Sequence, residues 1–388
     1  MIIKYSVGLD VSAADIKACI SVIDIEQRVK VQFSKTHSNT KKGLLELYNW
    51  IIKSHKSPEI PLVVCMEATG VYHENSAYFL LEKGLRISIV LPNKAKKYLQ
   101  ALGLKSKNDK IDAKGLAQMG AEQNLKEWKP LGNFFYDLRI LTRQHEVLQK
   151  NITSEKNRLH AAETAARQVK IELTQIKQLI TFLKKQLAII EVEIHKMIET
   201  NPTYKDKFAR VCKLHGIATL SAATIIAETG GFELFENYKQ VVSYAGYDVV
   251  ENQSGKHQGK TKISKKGNSK IRRILHMPAL VARGKEGTVF EKLYTRVFEK
   301  TGIKMKGIVA VQKKLLLMIY YIWKKDLIYD INFSNIQKEE LAPPSPLKID
   351  KEKQLKKATY NVASQGEHPL SYRSMPPLRK ANILKNVV

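Results

Sequence analysis

Two aspartates lie three residues apart within the lysine-rich stretch 106–117. If that stretch is helical, as its alanines and leucine permit, Asp109 and Asp112 lie on the same face of the helix. Between Glu82 and Asp109 the chain carries seven Lys or Arg residues and no acidic residue. A divalent metal ion between the two carboxylates, facing a phosphodiester, would account for both the paired like charges and the lysines around them. The alternative is an exposed helix start with aspartates at its positive end.

The chain has a large excess of basic residues. Its 388 residues include 65 Lys and Arg against 37 Asp and Glu, which gives a formal net charge of +28. Solubility requires far less charge, so the composition indicates nucleic acid as the partner before acidic proteins or membranes. The length is sufficient for two or three domains, each with its own core.

The three cysteines, Cys19, Cys65 and Cys212, show no paired spacing. This argues against a disulfide framework and against a zinc site, and it fits a reducing cytoplasm. The apolar run at the N-terminus is interrupted at Lys4 and Asp10. No stretch approaches the roughly 20 apolar residues of a membrane span. We therefore expect a cytoplasmic, nucleoid-associated protein without a membrane partner.

The first hundred residues alternate between strand-like and helix-like patterns. The predicted strands are 5–11, 18–23, 29–33, 61–66 and 86–91, and the predicted helices are 44–52, 72–83 and 93–102. The first three strands read as an antiparallel meander. The order βββαβαβα is that of a ribonuclease-H-like α/β fold.

This order brings further acidic residues toward the aspartate pair. Asp10 lies within the first strand, where a lone ionised carboxylate is costly to bury, and Glu67 closes the fourth strand. If those two strands are neighbours, both residues lie at the carboxyl edge of the sheet, where α/β proteins place their sites. Asp109 and Asp112 then arrive on the helix that packs behind the sheet. Taken singly, Asp10 or Glu67 is equally well read as an N-cap or turn residue, whereas the ordered set of four favours a site.

Residues 133–200 contain neither glycine nor proline, and large apolar residues recur at steps of three and four. A period of 3.5 residues over this length predicts a coiled coil. It is either one long helix or two helices folded back near 163–167, where the seam residues shrink to alanine. We expect it to join protomers into a homodimer or tetramer. The alternative is a helical hairpin packed within its own chain.

A third, mainly helical region is expected from residue 201 to 334. Gly216 begins a turn before the alanine-rich stretch 218–227, like half of a helix-hairpin-helix element, which aims backbone N–H groups at a phosphate. A plain helix-turn-helix core element explains the same stretch equally well. Beyond residue 335 the composition turns to lysine and proline and predicts a disordered basic tail, 335–388.

The segment 252–285 is the densest basic part of the chain, with ten Lys or Arg residues and no acid. Such a segment is typical of phosphate binding. Its predicted nucleic-acid contacts are Lys256, Lys260, Lys262, Lys265, Lys266, Asn268, Lys270, Arg272 and Arg273.

Ser254 lies in this basic segment and is followed by Gly255. An unhindered hydroxyl there could attack a phosphate once a base or a metal ion takes its proton, and His257 is a possible helper. A Ser-Gly pair is more often only a turn, and a loop histidine is more often idle.

Four ordered motifs together resemble the DEDD-type insertion-sequence transposases, the family of the bridge-RNA-guided recombinases and the pilin-gene invertase. The motifs are GLDVS at 8–12, MEATG at 66–70, KNDKIDA at 107–113 and NQSG at 252–255. The resemblance covers roughly residues 5–325. It implies a RuvC-like nuclease domain over 1–130, a coiled coil over 133–200 and a C-terminal transposase domain over 201–334.

The resemblance also implies roles for individual residues. Asp10, Glu67, Asp109 and Asp112 would bind Mg²⁺, and Ser254 would be the nucleophile that becomes linked to the DNA end. The implied partners are donor and target DNA and a structured bridge RNA. Two other functions remain open at this point: a RuvC-like junction endonuclease that uses water as nucleophile, and a non-catalytic nucleic-acid-binding protein.

Overall fold

A computed structural model describes residues 1–103, 108–251, 253–255, 257–259 and 261–327. Lys256, Lys260 and the expected tail 335–388 lie outside the described residues. For Ser254 and His257 the description covers the backbone.

The N-terminal region is built on one five-stranded sheet with the order β3-β2-β1-β4-β5. Strand β1 is antiparallel to β2 and parallel to β4, and β2 is antiparallel to β3. The predicted meander and the predicted contact of the first strand with the fourth are therefore confirmed. The strands are β1 Ile2–Val11, β2 Asp15–Asp24, β3 Val29–Ser38, β4 Leu62–Glu67 and β5 Arg86–Val90.

Four helices accompany the sheet, namely α1 Lys41–Ser54, α2 Tyr72–Glu82, α3 Pro92–Ala101 and α4 Asp109–Glu122. Alternate residues of a strand point to opposite faces of the sheet. On β1, Val7 and Leu9 join an apolar core with Leu47 and Ile51 of α1. The intervening positions of β1 therefore face the other side, where α4 packs.

The expected coiled-coil stretch consists of two helices, α5 Asn133–Thr164 and α6 Lys170–Glu199, which pack against each other within one chain. The chain folds back at 165–169, close to the predicted alanine-rich point. Much of the predicted seam is buried or half-buried, with Leu148 and Ile152 of α5 packing with Leu183 of α6, whereas Val169 at the fold-back is exposed. The structure thus has two folded-back helices and not one long helix, and the prediction that this stretch joins protomers stays a prediction.

The remainder is mainly helical, as expected, around a core that includes Phe208, Phe232 and Trp323. Phe135 and Leu138 at the start of α5 belong to the same core, so the hairpin of α5 and α6, here called the helical hairpin, packs into that core at its base. The helices are α7 Lys205–Cys212, α8 Thr219–Thr229, α9 Tyr238–Ala245, α10 Ser269–Ile274, α11 His276–Arg283, α12 Val289–Thr301 and α13 Lys304–Lys325. Short strands interrupt them, namely β6 Val249–Val250, β7 Gln253–Ser254, β8 His257–Gln258 and β9 Lys262–Ile263. Within the described ranges, none of the helices has the length and hydrophobicity needed to cross a membrane.

Candidate active site

Helix α4 lies directly on strand β1 because both elements carry small residues where they cross. A Cβ atom at Gly8 would collide with the backbone of Ala113 and Ala117 on α4. A larger residue at position 8 would therefore force the helix away from the sheet. Gly8 sets the distance between the helix and the strand that carries Asp10.

The direction of α4 brings its first turn to the carboxyl end of β1. Gly120, near the end of the helix, lies against Ser6, so α4 runs opposite to β1 as it crosses the sheet. Asp10 is on the same face as Ser6 because side chains alternate along a strand. The start of α4, with Asp109 and Asp112, therefore lies at the Asp10 end.

Glu67 reaches the same edge from strand β4. The parallel register pairs Gly8 with Cys65, and Cys65 faces α4 because a Cβ at Gly120 would lie 3.1 Å from its own Cβ. Two residues further on, Asp10 and Glu67 are level with each other and face the same side. Asp10 and Glu67 thus lie at one edge of the sheet, with the first turn of α4 beside Asp10, and their grouping into a single site with Asp109 and Asp112 stays a prediction.

The first turn of α4 is held in place by a cap. The side chain of Asn108 accepts a hydrogen bond from the backbone N–H of Ile111 at 2.9 Å. Asp109 and Asp112 both belong to this first turn, where the helix dipole favours negative charge. The cap therefore stabilises the first turn, from which both aspartates project.

The electrostatics of the cluster are those of crowded carboxylates. Burial raises the pKa of Asp10 from its ordinary 3.8 to about 6, and the negative charges of Asp109, Asp112 and Glu67 act in the same direction. A site that raises the pKa of an aspartate in this way would stabilise a bound cation.

Mg²⁺ prefers carboxylate oxygens, so the chemistry of these four side chains fits that ion. Among the residues that the structure describes, no three His, Cys, Asp or Glu side chains are arranged as a metal site. The assignment of Asp10, Glu67, Asp109 and Asp112 as metal ligands remains a prediction that the raised pKa of Asp10 supports.

Ser254 lies in the segment 246–267, here called the serine hairpin. Its strands pair Val249 with Ile263 and, nearer the tip, Ser254 with His257. Gly255 follows Ser254 with φ +56°, a left-handed conformation that favours glycine. The Ser-Gly pair is thus part of a turn, and the nucleophilic role of Ser254 stays a prediction.

Glu228 forms a buried polar centre beneath the serine hairpin that the sequence analysis did not identify. Its side chain is 1 % exposed and accepts hydrogen bonds from Arg143 at 2.7 and 3.1 Å and from Asn268 at 2.7 Å. Burial alone would raise the pKa of Glu228, but the hydrogen bonds from Arg143 and Asn268, together with the charges of Arg143 and Arg139, lower that pKa overall. The available signal was a lone acid directly after the mostly apolar stretch 222–227, similar to the signal that singled out Asp10.

The predicted nucleic-acid contacts of the 252–285 segment that the structure describes fall into two groups. Lys262, Lys265 and Lys266 are exposed on the serine hairpin. The others have partners within the chain: Lys270 and Arg273 pair with Glu146 of α5, Arg272 donates to the carbonyls of Ala245 and Gly267, and Asn268 caps α10. A role of this second group in binding DNA would come in addition to a structural one and stays a prediction.

Gly216 lies in the turn between α7 and α8 with φ +88°. A Cβ atom there would approach the carbonyl oxygen of Pro278 in α11 to 2.7 Å. The close packing of this turn accounts for the glycine without a ligand, so its contact with phosphate stays a prediction.

Comparison with known proteins adds three findings. A transposase family model matches residues 7–164, and the model of the IS116/IS110/IS902 transposase family matches residues 209–295. The pilin gene-inverting proteins of Moraxella bovis and Moraxella lacunata are each 26 % identical over 328 residues, which are 84 % of this chain and 98 % of the relative. Thermus thermophilus RuvC aligns with 32 % of this chain and 99 % of its own at 12 % identity and a TM-score of 0.26, and its complex with a Holliday junction at 0.25.

Proposed function

The chain belongs to the IS116/IS110/IS902 family of transposases, which are DNA-recombining enzymes, and from this premise we propose that it exchanges DNA strands through Ser254. The proposal is supported by the carboxylate cluster around Asp10, whose pKa is raised to about 6 by burial and by the negative charges of Asp109, Asp112 and Glu67. Such a cluster serves phosphodiester chemistry when a divalent cation neutralises it.

Asp10, Glu67, Asp109 and Asp112 would hold Mg²⁺. Bound there, the ion would act as a Lewis acid that polarises the scissile phosphate and stabilises the charge that develops on it. The carboxylates provide hard oxygen ligands, and Asp10 must lose its proton before it can bind the ion. The capped first turn of α4 and the register of β1 with β4 keep the ligands in place.

In the proposed reaction, the hydroxyl oxygen of Ser254 forms a bond to phosphorus while the bond to the leaving deoxyribose oxygen breaks. The serine proton passes to a base, for which His257 is the candidate, and the leaving oxygen takes up a proton. The resulting phosphoserine keeps the phosphoester bond, so the reverse attack by another DNA end rejoins the strand without a nucleotide cofactor.

The carboxylates and Ser254 belong to different regions of the chain, and we propose that two copies of the chain complete the site together. The helical hairpin supports this because α6 carries large apolar side chains on its outer face. Phe182, Ile189 and Val192 are 56 %, 58 % and 66 % exposed. Large exposed side chains of this kind are typical of a helix that packs against a partner, here a second copy in a dimer or tetramer.

Donor and target DNA are the proposed substrates, and a structured bridge RNA is the proposed guide. The net charge of +28 supports polyanionic partners of either kind. The family resemblance is what favours a guide RNA, because DNA alone would require the same lysines.

The test is a covalent-trapping assay. Purified protein, co-expressed with RNA transcribed from its flanking DNA, is mixed with labelled donor and target DNA in Mg²⁺ and then denatured. We expect a protein–DNA adduct that Ser254→Ala and Asp10→Asn abolish. Ser269→Ala, which changes an exposed serine of the same basic segment, should leave the adduct unchanged.

Two other outcomes would assign a different function. Free cleaved DNA without an adduct, both in the wild-type protein and in Ser254→Ala, would indicate that water is the nucleophile, as in a metal-dependent junction endonuclease. Mg²⁺-independent DNA binding without cleavage would indicate a binding protein whose acidic cluster is structural.

A further inference from the structure

The two ends of the serine hairpin are bound to each other at its base. The backbone N–H of Ser264 donates to the carbonyl of Asp248 at 2.8 Å, and that of Asn268 donates to the carbonyl of Tyr244 at 2.7 Å. The side chain of Ser264 also donates to the carboxylate of Asp248 at 2.7 Å. These bonds close the base of the hairpin, so the contacts of the base determine how the segment leaves the helical region.

Glu228 of α8 contacts the base of the hairpin on both sides. Asn268, directly after the hairpin, donates its side-chain amide to the carboxylate of Glu228 at 2.7 Å. Tyr244, directly before the hairpin, donates its hydroxyl to the backbone carbonyl of Glu228 at 2.9 Å. One residue thus anchors both ends of the segment that carries Ser254.

The same carboxylate is bound to the long helix α5. Arg143 donates to both of its oxygens, from Nε at 2.7 Å and from a terminal nitrogen at 3.1 Å. Arg139, one turn earlier, donates to the backbone carbonyls of Ala227 and Glu228 at 3.0 to 3.1 Å. Bidentate arginine–carboxylate pairs fix orientation as well as distance. Glu228 is therefore the link between α5 and the serine hairpin.

A second link runs beside the first. Glu146, one turn after Arg143 on α5 and also buried, accepts from Lys270 at 2.8 Å and pairs with Arg273 at 2.9 Å. Both basic residues belong to α10, which follows the hairpin. Two adjacent turns of α5 thus contact the region around the base of the hairpin through charged groups.

We infer that Glu228 is a positioning residue for strand exchange, which holds the serine hairpin at a set orientation on α5. The inference rests on the proposed role of Ser254. A carboxylate can accept from Arg143 and Asn268 at once because both of its oxygens are acceptors, whereas a glutamine offers one acceptor oxygen and an amide that must donate.

The test compares Glu228→Gln with the wild-type protein in the covalent-trapping assay under single-turnover conditions. We expect the rate of adduct formation at saturating DNA to fall about 10- to 100-fold, since small misplacements of a nucleophile carry costs of this order. The DNA concentration at half-saturation should not change, because the exposed lysines of the hairpin remain. Asp326→Asn, which removes an ion pair with Arg210 away from the hairpin, is the control and should react at the wild-type rate.

Hydrogen exchange provides a readout that does not depend on catalysis. In Glu228→Gln we expect faster exchange in peptides covering 244–268 and unchanged exchange in the sheet of residues 1–90. Arg143→Gln, which changes the partner on the other side of the link, should give the same local pattern. Wild-type exchange and a wild-type adduct rate in both variants would overturn the inference. So would faster exchange throughout the chain, which would make Glu228 a residue of general stability.

The experiment separates this inference from the proposed function. If the wild-type protein forms no adduct that depends on Ser254, the proposed function fails, and the exchange pattern still decides whether Glu228 holds the hairpin. If the adduct forms as expected but Glu228→Gln changes neither its rate nor the exchange, the positioning role alone is wrong.

Discussion

Asp10 and Glu67 lie level with each other at the carboxyl ends of two neighbouring parallel strands, on the face that α4 covers. The negative charge of Glu67 contributes to the raised pKa of Asp10, after burial and the charges of Asp109 and Asp112. In the absence of a cation, this pair therefore places like charges where the backbone does not let them separate. The arrangement is costly for folding and suited to binding a divalent ion.

Replacement of Asp10 by Asn should stabilise the folded protein while abolishing DNA cleavage. The folded-state pKa of Asp10, about 6, lies above its ordinary value of 3.8, so ionisation lowers the free energy of unfolding as the pH rises through this window. We expect a gain on the order of 1 kcal/mol at pH 8, allowing for solvent screening, and no gain near pH 4. The measurement is urea unfolding in EDTA at both pH values.

Asp24→Asn is the matched control for that experiment, because Asp24 is not among the groups that raise the pKa of Asp10. Hydrogen bonds from the backbone N–H groups of Arg28 and Glu26 lower the pKa of Asp24, so its ionised form stabilises the folded state. This variant should not gain stability at pH 8. An equal gain in both variants would show that general charge reduction, and not the crowding at Asp10, is responsible.

Cleavage should depend on pH through Asp10. Protons compete with Mg²⁺ for this carboxylate, so the rate at limiting Mg²⁺ should rise as the pH passes through about 6. A higher Mg²⁺ concentration should move the midpoint to lower pH. Single-turnover rates between pH 5 and 8 at two Mg²⁺ concentrations measure this, and a midpoint that does not respond to Mg²⁺ would contradict it.

Substitution of Gly8 by Ala should separate α4 from the sheet. The added methyl group would meet the backbone of Ala113 and Ala117, which cannot rotate away. We expect a loss of about 2–3 kcal/mol in the free energy of unfolding and a loss of cleavage as Asp109 and Asp112 move from Asp10. At Gly132 a Cβ would only reach Phe135 at an ordinary 3.8 Å, so Gly132→Ala is the control and should be nearly neutral.

The outer face of α6 should govern the assembly state. Phe182→Glu combined with Ile189→Glu places two charges on the exposed apolar face and should disrupt any contact between copies that uses it. We expect the mass measured by light scattering to fall toward that of one chain, with an unchanged circular dichroism spectrum. Gln178→Glu adds a charge at an exposed polar position of the same helix and should leave the mass unchanged.

The sequence alone was sufficient to predict that Asp10 and Glu67 lie at neighbouring strand ends, while their joint role with Asp109 and Asp112 as a metal site stays a prediction. Strand alternation and the order of elements are local properties, and they bring Asp10 and Glu67 to the same sheet edge once the first strand is assumed to neighbour the fourth. The seam of α5 and α6 is also encoded locally, because a period of 3.5 residues identifies the buried face whatever that face packs against.

Only the tertiary structure shows what each buried helix face packs against. The apolar seam of α5 could pack against α6 or against another chain. In the structure the chain folds back at 165–169, so the seam packs against α6. Likewise, Glu228 reads in the sequence as one acid in an apolar helix, while its partners Arg143 and Asn268 lie 85 and 40 residues away. Local patterns determine which residues are buried or charged, but the pairing of buried charges depends on contacts between distant segments, which only the tertiary structure supplies.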